Sequence, residues 1–218
     1  MKPLTIMVSS TVYGIEELLE RIYTLLTLFG YEVWMSHKGT VPLRSDRSAF
    51  ENCLAAVEQA DLFLSLITPQ YGSGKDGKNE LSITHQELLK AIELNKPRWV
   101  LAHEHVVFAR SFLGQLGYKT QEDRQTLAFK PGQVFADLRV IDMYEAAIAS
   151  ESQTPPSQRA GNWVQKYSDP GDAQLFASAQ FSRYQEVEAF IQENLNPQSL
   201  KLPQAKPAKS KPTRQGKK

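Results

Sequence analysis

The chain has 218 residues, 41% of them hydrophobic, with 25 lysines and arginines against 24 aspartates and glutamates, a length that suffices for one domain with a substantial core. A single cysteine excludes an intramolecular disulfide, so we expect a reducing, cytoplasmic environment. No apolar run approaches the roughly 20 residues of a membrane span, so no membrane partner is expected.

Short apolar runs alternate with segments of helical periodicity, an order typical of a parallel sheet covered by helices. The first half of the sequence predicts, in chain order, strand 4–8, helix 14–29, strand 31–35, helix 47–59, strand 61–67, helix 82–95 and strand 98–102. Strand 61–67 is almost continuously apolar, as expected of a strand that is covered on both faces. The fold class that follows is α/β.

The second half of the chain is less regular. Residues 106–118 have helical spacing, residues 138–141 are predicted as the last strand, and a Ser/Pro/Gly/Gln-rich stretch follows. The expected organisation is a domain over residues 1–150, a loop over 151–171, a C-terminal helix over 172–195 packed on the domain, and a tail over 196–218.

The tail carries seven basic and no acidic residues, together with four prolines, and it cannot bury enough apolar surface to become ordered. Residues 1–195 therefore have a formal charge of −6, which argues against a broad nucleic-acid-binding face on the domain. The tail itself suits weak contact with nucleic acid or an acidic partner. A solubilising extension explains its composition equally well.

Ligands of open parallel sheets bind at the carboxyl ends of the strands, where loops and helix N-termini meet. Residues 9–11, 36–46 and 68–84 follow three predicted strands and fall at this edge. We expect Ser9, Ser10 and Thr11 to bind a phosphate or another anion there. The alternative for Ser10 or Thr11 is a plain cap on the first helix.

Two other kinds of site are not supported by spacing. Residues 72–78 are rich in glycine and lysine but lack the pattern of a phosphate-binding loop, so the sequence does not favour an ATPase. The four histidines and Cys53 have no zinc-binding spacing. We expect no metal and no resident cofactor.

Glu87 is the residue that most needs an explanation. At about 100° per residue it falls inside the apolar arc of helix 82–95, beside Ile83 and Ala91. A buried, unpaired carboxylate is costly and tends to have a raised pKa. Either Thr84 and Glu87 form a capping box at the start of the helix, or Glu87 lines a cleft and acts on a substrate.

Several motifs stand in an order that resembles a known family. They are residues 6–11, Cys53-Leu54, residues 60–64, Tyr71-Gly72, Ser82-Ile83-Thr84-x-x-Glu87-x-x-x-Ala91 and Lys96-Pro97. Over residues 4–104 the chain resembles a TIR-like domain family of unknown function, often found at the front of larger signalling or defence ATPases. The portion from Thr84 to Pro97 is also similar to nucleoside 2-deoxyribosyltransferases.

This resemblance implies a flavodoxin-like, TIR-like three-layer sandwich with a parallel sheet of about five strands, and a ligand with an N-glycosidic bond. It implies that Glu87 is catalytic and that Asp61, Tyr71, Gly72 and Thr84 bind the ligand. The expected function is a nucleotide N-glycosidase that cleaves NAD or a related nucleotide in prokaryotic defence or signalling, with NAD as substrate and not as cofactor. The alternative is a non-catalytic module that binds a nucleotide or a protein. Self-assembly, or binding to a partner defence protein, is compatible with both of these functions.

Overall fold

The computed structural model describes residues 3–73, 80–152, 164–183 and 186, the last three residues of the second range by their backbone alone. The chain divides into two units, Met1–Tyr184 and Gln185–Lys218. All helices and strands given below belong to the first unit. The basic tail predicted over 196–218 lies outside the described residues.

One parallel sheet forms the centre of the first unit. Its strands are β1 (Thr5–Ser10), β2 (Glu32–Trp34), β3 (Leu62–Ile67), β4 (Arg98–His103) and β5 (Val164–Tyr167). They pair in the order β2-β1-β3-β4-β5, the order of flavodoxin-like sheets. The predicted α/β class with about five parallel strands is confirmed.

Helices cover both faces of the sheet. They are α1 (Glu16–Leu28), α2 (Ala49–Gln59), α3 (Ile83–Glu93), α4 (Glu104–Gln115), α5 (Gln121–Gln125), α6 (Arg139–Ser152) and α7 (Pro170–Phe181). One layer contains α1 packed against α7. In the other layer α3 packs against α2 and α6, and α4 also packs against α6. These contacts give the three-layer sandwich that the sequence predicts.

The parallel register places two serines side by side in the core. Met7 pairs with Phe63 and Ser9 pairs with Ser65. Met7 and Phe63 both belong to the apolar cluster under α2, α3, α4 and α6. Because side chains alternate along a strand, Ser9 and Ser65 point towards this same layer. Both are buried, with exposed fractions of 1% and 0%.

The predicted elements of the first hundred residues are confirmed, with boundaries that move by at most two residues. The predicted strand over 138–141 is wrong, because these residues open α6. The Asp137 carboxylate accepts the N–H of Arg139 at 2.9 Å at the start of this helix. The buried apolar residues of α6 follow helical spacing: Val140, Ile141, Met143 and Ala147. A short apolar run fits a strand and a buried helix equally well.

The fifth strand, β5, lies within residues 151–171, which the sequence predicted as a loop. It pairs with β4 from Val100–Val164 to His103–Tyr167. Three of its four residues are exposed or half-buried, so an edge strand of this kind has almost no apolar signal. The helix predicted over 172–195 begins two residues earlier, at Pro170, and α7 ends at Phe181; residues 187–195 of this prediction lie outside the described residues.

Phe181 holds α7 against β4 and against the turn between α1 and β2. Its ring is fully buried, with centroids 4.9 Å from Trp99 and 5.8 Å from Tyr31. The Tyr31 hydroxyl also donates to the Phe181 carbonyl at 3.2 Å. This one aromatic side chain therefore connects α7 to β4 and to the turn that leads into β2.

We expect Phe181→Ala to lower the free energy of unfolding by about 3–5 kcal/mol, because it leaves a cavity among aromatic rings. Chemical denaturation followed by circular dichroism measures this change. The control is Leu175→Ala on the same helix, where the side chain is 71% exposed. That variant should change stability by less than about 0.5 kcal/mol. Equal effects of the two substitutions would contradict this placement of α7.

Candidate functional site

Helix α3 begins with Ser82 as its N-cap. The Ser82 backbone is extended, with φ −62° and ψ 154°, and its hydroxyl accepts the N–H of His85 at 3.3 Å. Thr84 lies inside the first turn and is buried. The capping box of Thr84 and Glu87 is therefore wrong, because Thr84 is not the cap and Glu87 stands five positions after Ser82.

The Glu87 side chain points into the core, towards β1. Its Oε2 accepts the Ser9 hydroxyl at 2.5 Å, a contact between residues 78 positions apart. The Cys53 thiol on α2 lies close enough to this carboxyl group to lower its pKa. Glu87 is only 4% exposed. Two helices and a strand thus bring three polar side chains together in an apolar layer.

Burial raises the pKa of Glu87 to about 7, while the Ser9 hydrogen bond and the nearby Cys53 thiol act in the opposite direction by favouring the ionised form. No cation contributes to this pKa among the residues that the structure describes. Burial, and then the charge of Glu87, raise the pKa of Cys53 to about 11. At neutral pH the thiol stays protonated, and both forms of the Glu87 carboxyl are populated.

A second polar cluster joins the chain after β3 to α3. The Tyr71 hydroxyl lies 2.8 Å from His85 Nδ1 and accepts the N–H of Ser82 at 3.3 Å. Burial, with a smaller effect from Arg139, lowers the pKa of His85 to about 4, so the imidazole is neutral near pH 7. We assign the phenol proton to the bond with Nδ1, which leaves the imidazole proton on Nε2. The Arg139 guanidinium carbon lies 4.5 Å from the centre of the Tyr71 ring.

The predicted residues Thr11 and Gly72 meet at the carboxyl edge of the sheet. Gly72 has a φ of +81°, and a Cβ at this position would lie 3.0 Å from Thr11 Oγ1. Glycine is therefore required both by the left-handed backbone and by the close approach. The Ser10 hydroxyl donates to the carbonyls of Thr11 and Leu66, at 3.0 and 3.1 Å, so it is engaged with the backbone.

Asp61 lies at the opposite edge of the sheet from these residues. Its carboxylate accepts the N–H of Thr5 at 2.8 Å, and its own N–H donates to the Thr5 carbonyl at 3.0 Å. Both residues stand at the amino ends of their strands. The structure thus separates Asp61 from the other predicted site residues and gives it the role of joining the starts of β1 and β3.

A surface cavity of about 240 Å³ lies beside the second cluster and includes Arg139. Its lining comes from α5, the start of α6 and the chain between them: Gln121, Arg124, Gln125, Phe129, Asp137, Leu138, Arg139 and Asp142. Glu87 is not among these residues, so its carboxyl does not open into this cavity.

The sequence did not reveal three polar contributors to these clusters: Cys53, His85 and Arg139. Cys53 was part of a family motif without an assigned role, and Arg139 fell in the segment predicted as a strand. In the described part of the chain, no group of three His, Cys, Asp or Glu side chains could hold a metal ion. Within the same residues no helix is long and apolar enough to span a membrane.

The fold and site define a three-layer α/β protein with a buried carboxyl group beneath the carboxyl edge of its sheet. A family model described as Domain of unknown function (DUF4062) matches residues 5–126, more than half of the chain. The chain belongs to this family. The matched range includes Ser9, Cys53, Tyr71 and Glu87, and it ends before α6 and β5.

The chain is also similar to the TIR domains in the structure of the activated Roq1 resistosome directly recognizing the pathogen effector XopQ. The sequence identity is 12%, the match covers 81% of this chain and 99% of that chain, and the TM-score is 0.47. A similarity at this level supports no conclusion about the site. Comparison with curated proteins found no match.

The raised pKa of Glu87 makes the stability of the protein depend on pH. The folded state keeps this proton up to about pH 7, whereas the unfolded state releases it near 4.5. The stabilising contribution is therefore complete below pH 4.5 and is lost as the pH rises to about 7. We expect the difference in unfolding free energy between wild type and Glu87→Gln to fall by about 3 kcal/mol over this range. Denaturation at a series of pH values measures it.

The comparison with Glu87→Gln cancels the titration of His85, which both proteins share. Glu93→Gln is the matched control, because Glu93 lies on the same helix and its side chain is 68% exposed. This control should leave the pH dependence of wild type unchanged. A constant difference between wild type and Glu87→Gln from pH 4.5 to 7 would show that the Glu87 pKa is not raised.

Proposed function

We propose that this protein is a TIR-like nucleotide N-glycosidase that cleaves NAD or a related nucleotide, with Glu87 as its catalytic residue. The observation that carries the proposal is the hydrogen bond from Ser9 to Glu87. It turns the carboxyl towards the sheet, near the edge where ligands of parallel sheets bind. Since Ser82 is the N-cap of α3, Glu87 does not serve in a capping box at the start of this helix.

The chemistry requires a carboxylate beside the ribosyl C1′. When the bond from C1′ to the nicotinamide nitrogen breaks, its electron pair leaves with the base, and C1′ becomes oxocarbenium-like. A carboxylate stabilises this charge or attacks C1′ directly, and water then supplies the new hydroxyl group. A carboxyl with a pKa of about 7 provides a substantial ionised fraction at neutral pH. The similarity of the Thr84–Pro97 portion to nucleoside 2-deoxyribosyltransferases supports the same reaction class.

Two of the remaining predicted residues keep a ligand-binding role in this proposal. Thr11 and Gly72 meet at the carboxyl edge, where they can contact ribose or phosphate oxygens, whereas Tyr71 is 2% exposed and its hydroxyl is bonded within the second cluster. Ser9 was predicted to bind the ligand, but its hydroxyl donates to Glu87. We therefore propose that Ser9 orients the catalytic carboxyl.

Access to Glu87 requires an activating step. The side chain is 4% exposed, so a ribose does not reach the carboxyl in the conformation described here. We propose that self-assembly or binding of a partner changes the conformation around Glu87 before turnover, so that the substrate reaches the carboxyl group. In this scheme NAD is the substrate, and the reaction needs no further cofactor.

Purified protein incubated with NAD, alone and at concentrations that promote assembly, should release nicotinamide. We expect Glu87→Gln to reduce the rate by about 100-fold or more, because the variant lacks the carboxylate. Liquid chromatography of nicotinamide measures the rate, and Glu93→Gln is the control that should keep wild-type activity. Equal release by wild type and Glu87→Gln would remove Glu87 from the mechanism.

The burial of Glu87 also favours a second candidate, a non-catalytic module that binds a nucleotide or a protein. In this case the Ser9–Glu87 bond serves the packing of α3 on β1. The second candidate predicts that a nucleotide raises the melting temperature without being consumed, because it binds only the folded state. Thermal unfolding with a panel of nucleotides tests it, and release of nicotinamide by wild type under any of these conditions would contradict it.

A further inference from the structure

Ser65 has a hydroxyl group without a partner in the centre of the sheet. Its Oγ is completely buried and makes no hydrogen bond to any described residue. Buried hydroxyl groups are almost always hydrogen-bonded, because an unpaired one loses its bonds to water without compensation. A serine kept in the apolar core without a bond therefore needs an explanation.

The position of Ser65 beside Ser9 explains why a hydroxyl group is kept in the apolar core. Ser65 on β3 is in register with Ser9 on β1, and both side chains point to the layer that contains α3. Adjacent strands lie about 4.8 Å apart. The free hydroxyl of Ser65 is therefore one strand spacing away from the serine that donates to Glu87 at 2.5 Å.

We propose that Ser65 is a positioning residue for Glu87, and that its hydroxyl donates a hydrogen bond to the carboxylate when Glu87 ionises. An ionised carboxylate accepts up to about four hydrogen bonds, and the Ser9 hydroxyl supplies one. In this proposal the Glu87 side chain rotates so that one carboxylate oxygen faces Ser65 on β3. The catalytic use of this bond rests on the proposed function, whereas the bond itself does not.

The described groups packed around Glu87 include no cation, so an uncharged hydrogen-bond donor must stabilise its ionised form. Among the described residues, the titratable group that faces the carboxyl is Cys53 on α2, and its pKa is raised to about 11. The strands β1 and β3 contribute the hydroxyls of Ser9 and Ser65. An additional hydrogen bond from Ser65 is therefore the available means of stabilising the ionised form.

On α6, which also packs on α3, the charged side chains that the structure describes are paired elsewhere. Arg139 forms an ion pair with Asp137 at 2.5 Å, and Asp142 forms one with the buried Arg124, also at 2.5 Å. A change in the ionisation of Glu87 after substitution of Ser65 therefore reports on the hydroxyl and not on these pairs.

The test is the titration of Glu87 followed by NMR of the glutamate side-chain carboxyl carbons, with Glu87→Gln used to assign the signal. We expect Ser65→Ala to raise the midpoint by about 0.5 pH unit or more, because only the ionised form loses a hydrogen bond. Ser65→Thr keeps a hydroxyl and should stay near the wild-type midpoint. The control Ser111→Ala removes a hydroxyl that donates to the Val107 carbonyl on α4, and it should not change the titration.

An unchanged midpoint in Ser65→Ala, with stability raised equally at all pH values, would overturn the proposal, since the hydroxyl would then be a simple packing defect. The two proposals fail separately. A shifted midpoint without nicotinamide release from wild type would reject the N-glycosidase and keep the role of Ser65. Nicotinamide release that depends on Glu87, combined with an unshifted midpoint, would keep the N-glycosidase and reject the role of Ser65.

Discussion

The cost of placing a carboxyl group in the apolar layer between a sheet and its helices governs this structure. Glu87 is almost completely removed from water, and no cation compensates for it among the described residues. The Ser9 hydroxyl and the Cys53 thiol offset part of the cost, and the rest remains as a pKa near 7. Three elements, α2, α3 and β1, must keep their relative positions for these interactions to exist.

The start of α3 determines where Glu87 points. Because Ser82 is the N-cap, the first turn contains Thr84 and His85, and Glu87 follows on the side that faces β1. The phenol of Tyr71 holds this turn through Ser82 and His85. Arg139 in turn covers the Tyr71 ring, so a residue of α6 supports the start of α3.

The family model matches a shorter part of the chain than the part that forms the complete fold. The family match ends at residue 126, and it includes the polar core around Glu87. The sheet is completed only by β5 at Val164–Tyr167, and the Tyr71 ring is covered by Arg139. The segment beyond the matched range therefore belongs to the architecture of the site, although the motifs that predicted the site all precede it.

The sequence alone was sufficient for features that depend on neighbours along the chain. Short apolar runs predicted β1, β3 and β4, because strands covered on both faces are apolar throughout. Helical periodicity predicted α3 and placed Glu87 on the apolar side of this helix, because burial imposes a period of 3.6 residues on helices. It could not tell the start of α6 from a strand or find β5, whose exposed edge has almost no pattern. The choice of Ser9 as the partner of Glu87, and the pairing of Ser9 with Ser65, were decided only by the tertiary structure. These contacts join residues 78 and 56 positions apart, and such contacts follow from strand order and register, which no local pattern contains.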